Sequence, residues 1–225
     1  MMKRFVFIAA IVSSLFAASI ASADIQLAFY DVQNATTVNI TYTFDSTNGG
    51  PATPISSSQS PYTGQYQLQL YNSSGPIINA VCVSPLLADY SFQTYSQDPI
   101  TSSAYAYLLP AAWVLSQGYT TATDRQAAQL AVWELVWDNG ESTYNFSSGK
   151  FTVSGESSAV LSDAESIYTA ALAGASSIPN GAYVLADSTT HQEYVMRNPV
   201  PIPAAVWLLG SGLIGLAGIR RRFRK

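Results

Sequence analysis

The side chain with the clearest chemical potential is a lone thiol. Cys82 is the only cysteine among 225 residues, and it lies in Val-Cys-Val-Ser-Pro at the end of an apolar stretch over residues 77–83. A single cysteine cannot form a disulfide within its own chain. Two interpretations are open from the residues themselves: a small buried side chain on an apolar strand, or a disulfide with a second molecule.

A helix predicted further along the chain carries amide side chains that could meet this strand. Thr123-Asp124-Arg125-Gln126 is a capping-box pattern, and the apolar spacing that follows predicts a helix to about Asp138. Gln126 and Gln129 both lie on it. Either amide could face the strand that carries Cys82.

The two segments together resemble a known family. Cys82 in Val-Cys-Val-Ser-Pro and Gln129 in Ala-Gln-Leu-Ala-Val-Trp are similar to the two halves of the Cys–Gln thioester domain of Gram-positive surface adhesins. The resemblance covers about residues 82–138. It implies that Cys82 is the thiol and Gln129 the acyl donor of an internal thioester, which a lysine amine on a partner attacks while the thiolate leaves. Trp133 is then expected either to cover the bond or to pack in the core with Trp137.

Enzyme chemistry has less support. His191 is the only histidine, so a multi-histidine metal site is excluded, and no motif supports a Cys82–His191 dyad. Glu134 and Asp138 stand four residues apart on the predicted helix and are interpreted as a solvated face. We expect no catalytic residue, no metal and no cofactor, and predict that the chain is not an enzyme.

The N-terminus predicts export. Lys3-Arg4 precede an apolar stretch over residues 5–18, and Ala21-Ser22-Ala23 precede Asp24. A basic start, an apolar centre and small residues at the end make the pattern of a secretory signal peptide. Residues 1–23 are therefore expected to direct the chain to the secretion translocon and to be removed by signal peptidase.

The C-terminus has three parts in a fixed order. A proline motif (Val200, Pro201, Ile202 and Pro203) is followed by an uncharged apolar run to Ile219 and a basic cluster: Arg220, Arg221, Arg222, Arg224 and Lys225. About 20 apolar residues are long enough to cross a bilayer, and flanking basic residues stay on the cytoplasmic side. Residues 198–225 therefore predict a single transmembrane tail.

This tail resembles the PEP-CTERM sorting signal in its Val-Pro-X-Pro-Ala form. The resemblance implies recognition by an exosortase, a membrane-embedded transpeptidase that cuts near the prolines and releases or transfers the upstream domain. It also implies a Gram-negative bacterium that makes extracellular polysaccharide. The expected location is a transient inner-membrane anchor, then the cell surface or the medium; a permanent anchor is the alternative.

Setting both ends aside changes the charge of the chain. Only Arg125, Lys150 and Arg197 lie between residues 24 and 199, against all 14 acidic residues, so the net charge there is −11 rather than −4. Nucleic acid and anionic membrane surfaces are poor partners for such a domain. Its serine, threonine, glutamine and tyrosine side chains suit hydrogen bonding to sugars or to a hydrated matrix.

Periodicity and turn residues predict one α+β domain over residues 24–197. Strands are expected at 25–32, 37–44, 65–70 and 77–83, with a final hairpin at 182–186 and 192–196. A long loop is expected over 48–63, and helices at 110–117, 123–138 and 158–173. The predicted fold is an antiparallel β framework with an insertion of about three helices, followed by the transmembrane tail.

These features predict an exosortase-processed surface or matrix protein that is structural or adhesive in a polysaccharide matrix. One alternative is a covalent adhesin in which Cys82 and Gln129 form the thioester and acylate a surface amine. A further alternative is a carbohydrate-binding module that uses exposed tyrosine and tryptophan, with Trp113 as the most accessible candidate.

Overall fold

A computed structural model describes residues 24–44, 55–84, 90–101, 103, 105–138 and 144–199. The expected signal peptide and the proline motif, apolar run and basic cluster of the tail lie outside these residues. Among the described residues, no helix has both the length and the apolar character that a membrane crossing requires.

Six of the nine strands in the described residues close into a barrel. The strands in chain order are β1 (Ile25–Thr37), β2 (Asn39–Phe44), β3 (Ile55–Gln59), β4 (Tyr62–Leu70), β5 (Ile77–Cys82), β6 (Gln93–Pro99), β7 (Phe151–Ser154), β8 (Tyr183–Asp187) and β9 (Tyr194–Arg197). The barrel order is β1-β4-β5-β9-β8-β6, and every neighbouring pair is antiparallel. The expected antiparallel framework and the β8–β9 hairpin are therefore confirmed.

A second antiparallel sheet has the order β3-β2-β7. The prediction of a loop over residues 48–63 was wrong for its described part, residues 55–63, since β3 and the start of β4 lie there. The serines of β3 face the threonines of β2, and Thr41 Oγ1 and Ser58 Oγ are 3.0 Å apart. Cross-strand hydroxyl pairs of this kind stabilise a sheet. A prediction from serine-rich composition alone takes no account of such pairs.

Three helices were expected in the domain, and the described part of the chain contains three α-helices: α1 (Leu109–Ser116), α2 (Ala122–Trp137) and α3 (Ser158–Gly174). Pro110 lies in the first turn of α1, where its missing N–H costs nothing. The helix α2 begins earlier than the capping box predicted, because Thr121 rather than Thr123 is its N-cap and accepts a hydrogen bond from the Asp124 N–H.

The helix α2 is the centre of the molecule. Every residue from Ala127 to Trp137 is buried, because the helix packs on β1, β4 and β5 and also on α1 and α3. Trp133 and Trp137 stack with ring centroids 5.5 Å apart. Phe151 of the second sheet packs edge-on against Trp137, so this aromatic group joins the barrel side of the fold to the smaller sheet.

Burial of α2 from Ala127 onward overturns the prediction that Glu134 and Asp138 form a solvated face. Both carboxyl groups are buried and accept backbone hydrogen bonds from the segment before and at the start of β7. Glu134 accepts from the Asn145 N–H at 2.9 Å, and Asp138 accepts from the N–H groups of Lys150 and Phe151. They are structural acceptors rather than surface charges.

Replacing Asp138 by alanine should therefore destabilise the fold. The variant leaves the N–H groups of Lys150 and Phe151 without their acceptor, and lost hydrogen bonds to a charged group cost about 2–3 kcal/mol of unfolding free energy. Urea unfolding followed by tryptophan fluorescence measures the change. Glu165→Ala on the exposed side of α3 is the control and should change stability by less than about 0.5 kcal/mol; equal effects would contradict the assigned role.

Candidate functional site

The structure brings Cys82 and Gln129 into direct contact. The backbone N–H of Cys82 donates to Gln129 Oε1 at 3.2 Å, and Gln129 Nε2 donates to the Cys82 carbonyl oxygen at 2.9 Å. Both residues are sealed from solvent, with 0 % and 1 % of their surfaces exposed. A carboxamide that is hydrogen-bonded at both ends has a fixed orientation, so its carbonyl carbon is held beside the residue that carries the thiol.

The alternative amide faces another strand. Gln126 lies one turn earlier on α2, and its Nε2 donates to Thr36 Oγ1 on β1. Residues three apart on a helix point in neighbouring but distinct directions. Of the two glutamines that the sequence offers, Gln129 is the one at Cys82.

Burial of the thiol sets its chemical state. The Cys82 S–H donates to the Ser84 carbonyl oxygen at 3.2 Å, and Gln192 Nε2 donates to Sγ at 2.9 Å. The hydroxyl of Tyr194 donates to Gln192 Oε1 at 2.8 Å and so fixes that amide. Burial raises the pKa of Cys82 to about 12, against the lowering effect of these hydrogen bonds and of Trp133. The free thiol is therefore protonated at neutral pH and closed to a cysteine of another molecule.

Trp133 packs in the core, which is one of the two roles expected of it. It stacks on Trp137 in the core, and its indole lies near enough to the thiol to lower the pKa of Cys82. Within the described part of the chain, no acceptor meets hydrogen-bond criteria for the buried Trp133 Nε1.

A cavity of about 610 Å³ adjoins this group. Its inner wall includes Ser84, Gln192 and Trp133, which all surround the thiol, and its other walls are largely aromatic, formed by Phe29, Tyr62, Tyr66, Tyr90 and Trp137. Tyr62 and Tyr90 are 54 % and 72 % exposed, so they mark its opening to solvent. The cavity therefore reaches from the surface to the shell of side chains around Cys82.

Other candidates lie away from this site. Trp113 is half-buried, and a Cβ added at Gly174 would lie 2.0 Å from its Nε1, so its ring is pressed against α3 rather than presented as a sugar-stacking surface. His191 packs near the Tyr95 ring. In the described segments, no group of three histidine, cysteine or acidic side chains is arranged to hold a metal ion.

Sequence reasoning missed Gln192, Ser84 and Tyr66 as parts of the site. Gln192 had a detectable signal, because it alternates with Tyr194 and Met196 along the final hairpin and so falls on their buried face. A polar residue on an apolar face needs a hydrogen-bond partner. That partner is the sulfur of Cys82, which only the pairing of β5 with β9 reveals.

Comparison of the chain with protein-family models, with curated proteins and with solved structures finds no match.

Glu193 adds a titrating group close to the site. Its backbone N–H donates to Ser84 Oγ at 2.9 Å and its carbonyl oxygen accepts from the Val83 N–H at 3.0 Å. Burial raises the pKa of its carboxyl group from 4.5 to about 8, with added contributions from a hydrogen bond to Asp187 and from the charge of that residue. The folded protein therefore holds this proton at pH values where the unfolded chain has lost it.

This shift predicts a loss of stability with rising pH. Between about pH 4.5 and 8 the folded state binds more protons than the unfolded state, so the free energy of unfolding falls as pH rises through that range. Glu193→Gln lacks this titrating group, so its free energy of unfolding should not fall in this way. The difference in unfolding free energy between the variant and the wild type should therefore change by about 2–4 kcal/mol across the range. Urea unfolding at several pH values measures it. The exposed-site variant Glu165→Gln should keep the wild-type dependence; parallel curves for wild type and Glu193→Gln would refute the prediction.

Proposed function

We propose that this chain is an exported surface protein whose barrel domain holds an internal thioester between Cys82 and Gln129, and that it uses this bond to attach covalently to amines. The observation that carries the proposal is the reciprocal hydrogen bonding of the Gln129 carboxamide with the Cys82 backbone inside the core. The two residues are 47 positions apart in sequence, and the resemblance to thioester domains already pairs them.

Formation of the bond needs few additional groups. The Cys82 sulfur attacks the Gln129 carbonyl carbon, the carbon–nitrogen bond breaks, and the thiol proton leaves with the amide nitrogen as ammonia. The Cys82 N–H already donates to Gln129 Oε1. It would stabilise the negative charge that grows on this oxygen in the tetrahedral intermediate, as the donors of an oxyanion hole do.

The surroundings of Cys82 and Gln129 would protect a thioester from reaction until a partner amine arrives. A thioester exposed to water hydrolyses, whereas Cys82 and Gln129 have almost no solvent-accessible surface. Gln192 Nε2 lies 2.9 Å from the sulfur and would stabilise the thiolate when it leaves. Internal amines that could consume the bond are scarce, since Lys150 is the only lysine between residues 24 and 199.

The expected setting is the outer surface of a Gram-negative bacterium. The signal-peptide pattern and the PEP-CTERM-like tail support export, exosortase processing, and display on the cell or in a polysaccharide matrix. A covalent bond to an amine of that matrix or of a neighbouring surface would make such a protein adhesive. The residues support binding and attachment rather than turnover, because acylation of a partner consumes the thioester.

The mass of the chain tests the thioester directly. Wild-type protein should be lighter than its sequence requires by one ammonia, and methylamine should restore that mass and add one methyl group. Cys82→Ala and Gln129→Ala should abolish the deficit, while Gln126→Ala should keep it because Gln126 lies at Thr36 instead. Intact mass spectrometry under non-reducing conditions, with peptide mapping of the Cys82 and Gln129 segments, gives the measurement.

A full-mass wild-type protein whose Cys82 alkylates only after unfolding would refute the thioester. That outcome would leave a non-covalent matrix protein with an inert buried thiol.

The sorting tail has its own test. Replacing Pro201 and Pro203 by alanine should block exosortase recognition, so the chain should remain at full length in the membrane fraction of its producer. Fractionation and immunoblotting against the barrel domain measure its distribution. As a control, Pro179→Ala alters a proline of the folded domain and should leave release unchanged. Normal release of the double variant would show that the tail is not a processing signal.

A further inference from the structure

The cavity beside Cys82 has uncharged walls in which aromatic side chains are prominent. Aromatic rings dominate them, and its polar contributors are neutral: Gln59, Ser60, Ser84 and Gln192. No acidic or basic side chain is among the described residues that line it. A wall of this kind attracts cations through ring faces rather than through ion pairs.

We propose that this cavity is the entry port for the attacking nucleophile, and that it selects an unbranched primary alkylamine such as the side chain of a partner's lysine. The proposal rests on the proposed thioester and adds the route by which its acceptor enters; a lysine amine as the acceptor is already implied by the resemblance to thioester domains. Tyr62 and Tyr90 at the mouth bind the incoming alkylammonium, and the aromatic interior takes its methylene chain.

Continuity with the reactive residues supports the route. Gln192 lines the cavity on one side and donates to Cys82 Sγ on the other. Ser84 and Trp133 have the same double position, because both line the cavity and both influence the thiol. A single layer of side chains therefore separates the cavity from the sulfur, and displacement of the Gln192 amide would admit the amine.

The walls also favour the reactive form of the amine. An ammonium ion is drawn to the exposed tyrosine rings at the mouth, and the charge of −11 over residues 24–199 attracts it from solution. Further in, loss of water disfavours the charged form and lowers the pKa of the amine. The nucleophile thus enters as a cation and attacks as a neutral amine.

The transfer step balances without a further reactant. The amine nitrogen forms a bond to the Gln129 carbonyl carbon, the carbon–sulfur bond breaks, and the proton lost by nitrogen passes to the Cys82 sulfur. The products are a secondary amide at Gln129 and a free Cys82 thiol. The Cys82 N–H and the Gln192 amide, the donors already placed at the oxygen and at the sulfur, stabilise the intermediate and the leaving group.

Reaction with two different nucleophiles distinguishes entry through the cavity from the intrinsic reactivity of the thioester. Butylamine is an unbranched cation at neutral pH, whereas hydroxylamine is small and largely uncharged. The rate at which each adds to the purified chain is followed by intact mass spectrometry at a fixed pH. Tyr62→Leu and Tyr90→Leu remove exposed rings at the mouth, and Tyr30→Leu removes a ring of similar exposure that does not line the cavity.

The port predicts a selective effect. Tyr62→Leu and Tyr90→Leu should each slow the reaction with butylamine by about two- to fivefold and leave the reaction with hydroxylamine at the wild-type rate. Tyr90→Phe should retain the butylamine rate because it keeps the ring face, and Tyr30→Leu should react as wild type does with both nucleophiles.

The possible failures are distinguishable. A wild-type chain without the ammonia deficit overturns the thioester and the port together. A deficit that is present in all variants, with butylamine rates unchanged by Tyr62→Leu and Tyr90→Leu, overturns the port and leaves the thioester in place. Equal slowing of both nucleophiles also overturns the port, since it would indicate a general disturbance of the bond.

Discussion

The contact between the Gln129 carboxamide and the Cys82 backbone is the constraint on which the centre of the molecule depends. Cys82 ends β5 and is followed by irregular chain, so its backbone groups need partners from outside the sheet. The amide of α2 supplies both an acceptor and a donor. The next residue is tied in the same way, because Trp137 Nε1 donates to the Val83 carbonyl oxygen at 3.0 Å. Two successive residues of the strand end are therefore fastened to one helix. Buried polar groups of this kind are costly unless every partner is present, so the pairing fixes how the helix sits on the barrel.

That attachment also determines how the rest of α2 is surrounded. From Ala127 to Trp137 the helix is fixed to the barrel on one side and covered by α1 and α3 on the others, so this part has no surface left for water. The carboxyl groups of Glu134 and of the C-cap residue Asp138 must then find donors inside the protein, and they find them in the backbone that leads into β7. The stacked Trp133 and Trp137 fill the space between that backbone and the barrel. Thus the smaller sheet is held to the barrel by the same helix that positions Gln129.

The sequence predicted the elements better than their arrangement. Local patterns identified three helices, the strand carrying Cys82 and the final hairpin, because apolar periodicity and turn residues act over a few positions. The closure of the barrel was not predictable in that way, since β1 pairs with both β4 and β6 through long-range register. The solvated interpretation of Glu134 failed for the same reason, because burial of a helix depends on what surrounds it. At the site, Cys82 and Gln129 were accessible from the sequence through resemblance, whereas Gln192 depends on the pairing of β5 with β9.

Burial has two opposing effects on the chemistry of the proposed thioester. A core that raises the pKa of Cys82 to about 12 makes the free thiol a weak nucleophile, and at first sight this argues against any chemistry at the residue. Condensation with a neutral amide, however, begins and ends with uncharged groups, and an apolar core penalises charge rather than proximity. The Gln129 amide is held against the Cys82 backbone before any reaction, and positioning of this kind would replace part of the driving force that a thiolate would supply. The proposed bond would be protected by the same exclusion of water. By the proposed route, its reactivity would depend on whether a nucleophile can pass Gln192, so access rather than intrinsic reactivity would determine when the bond is consumed.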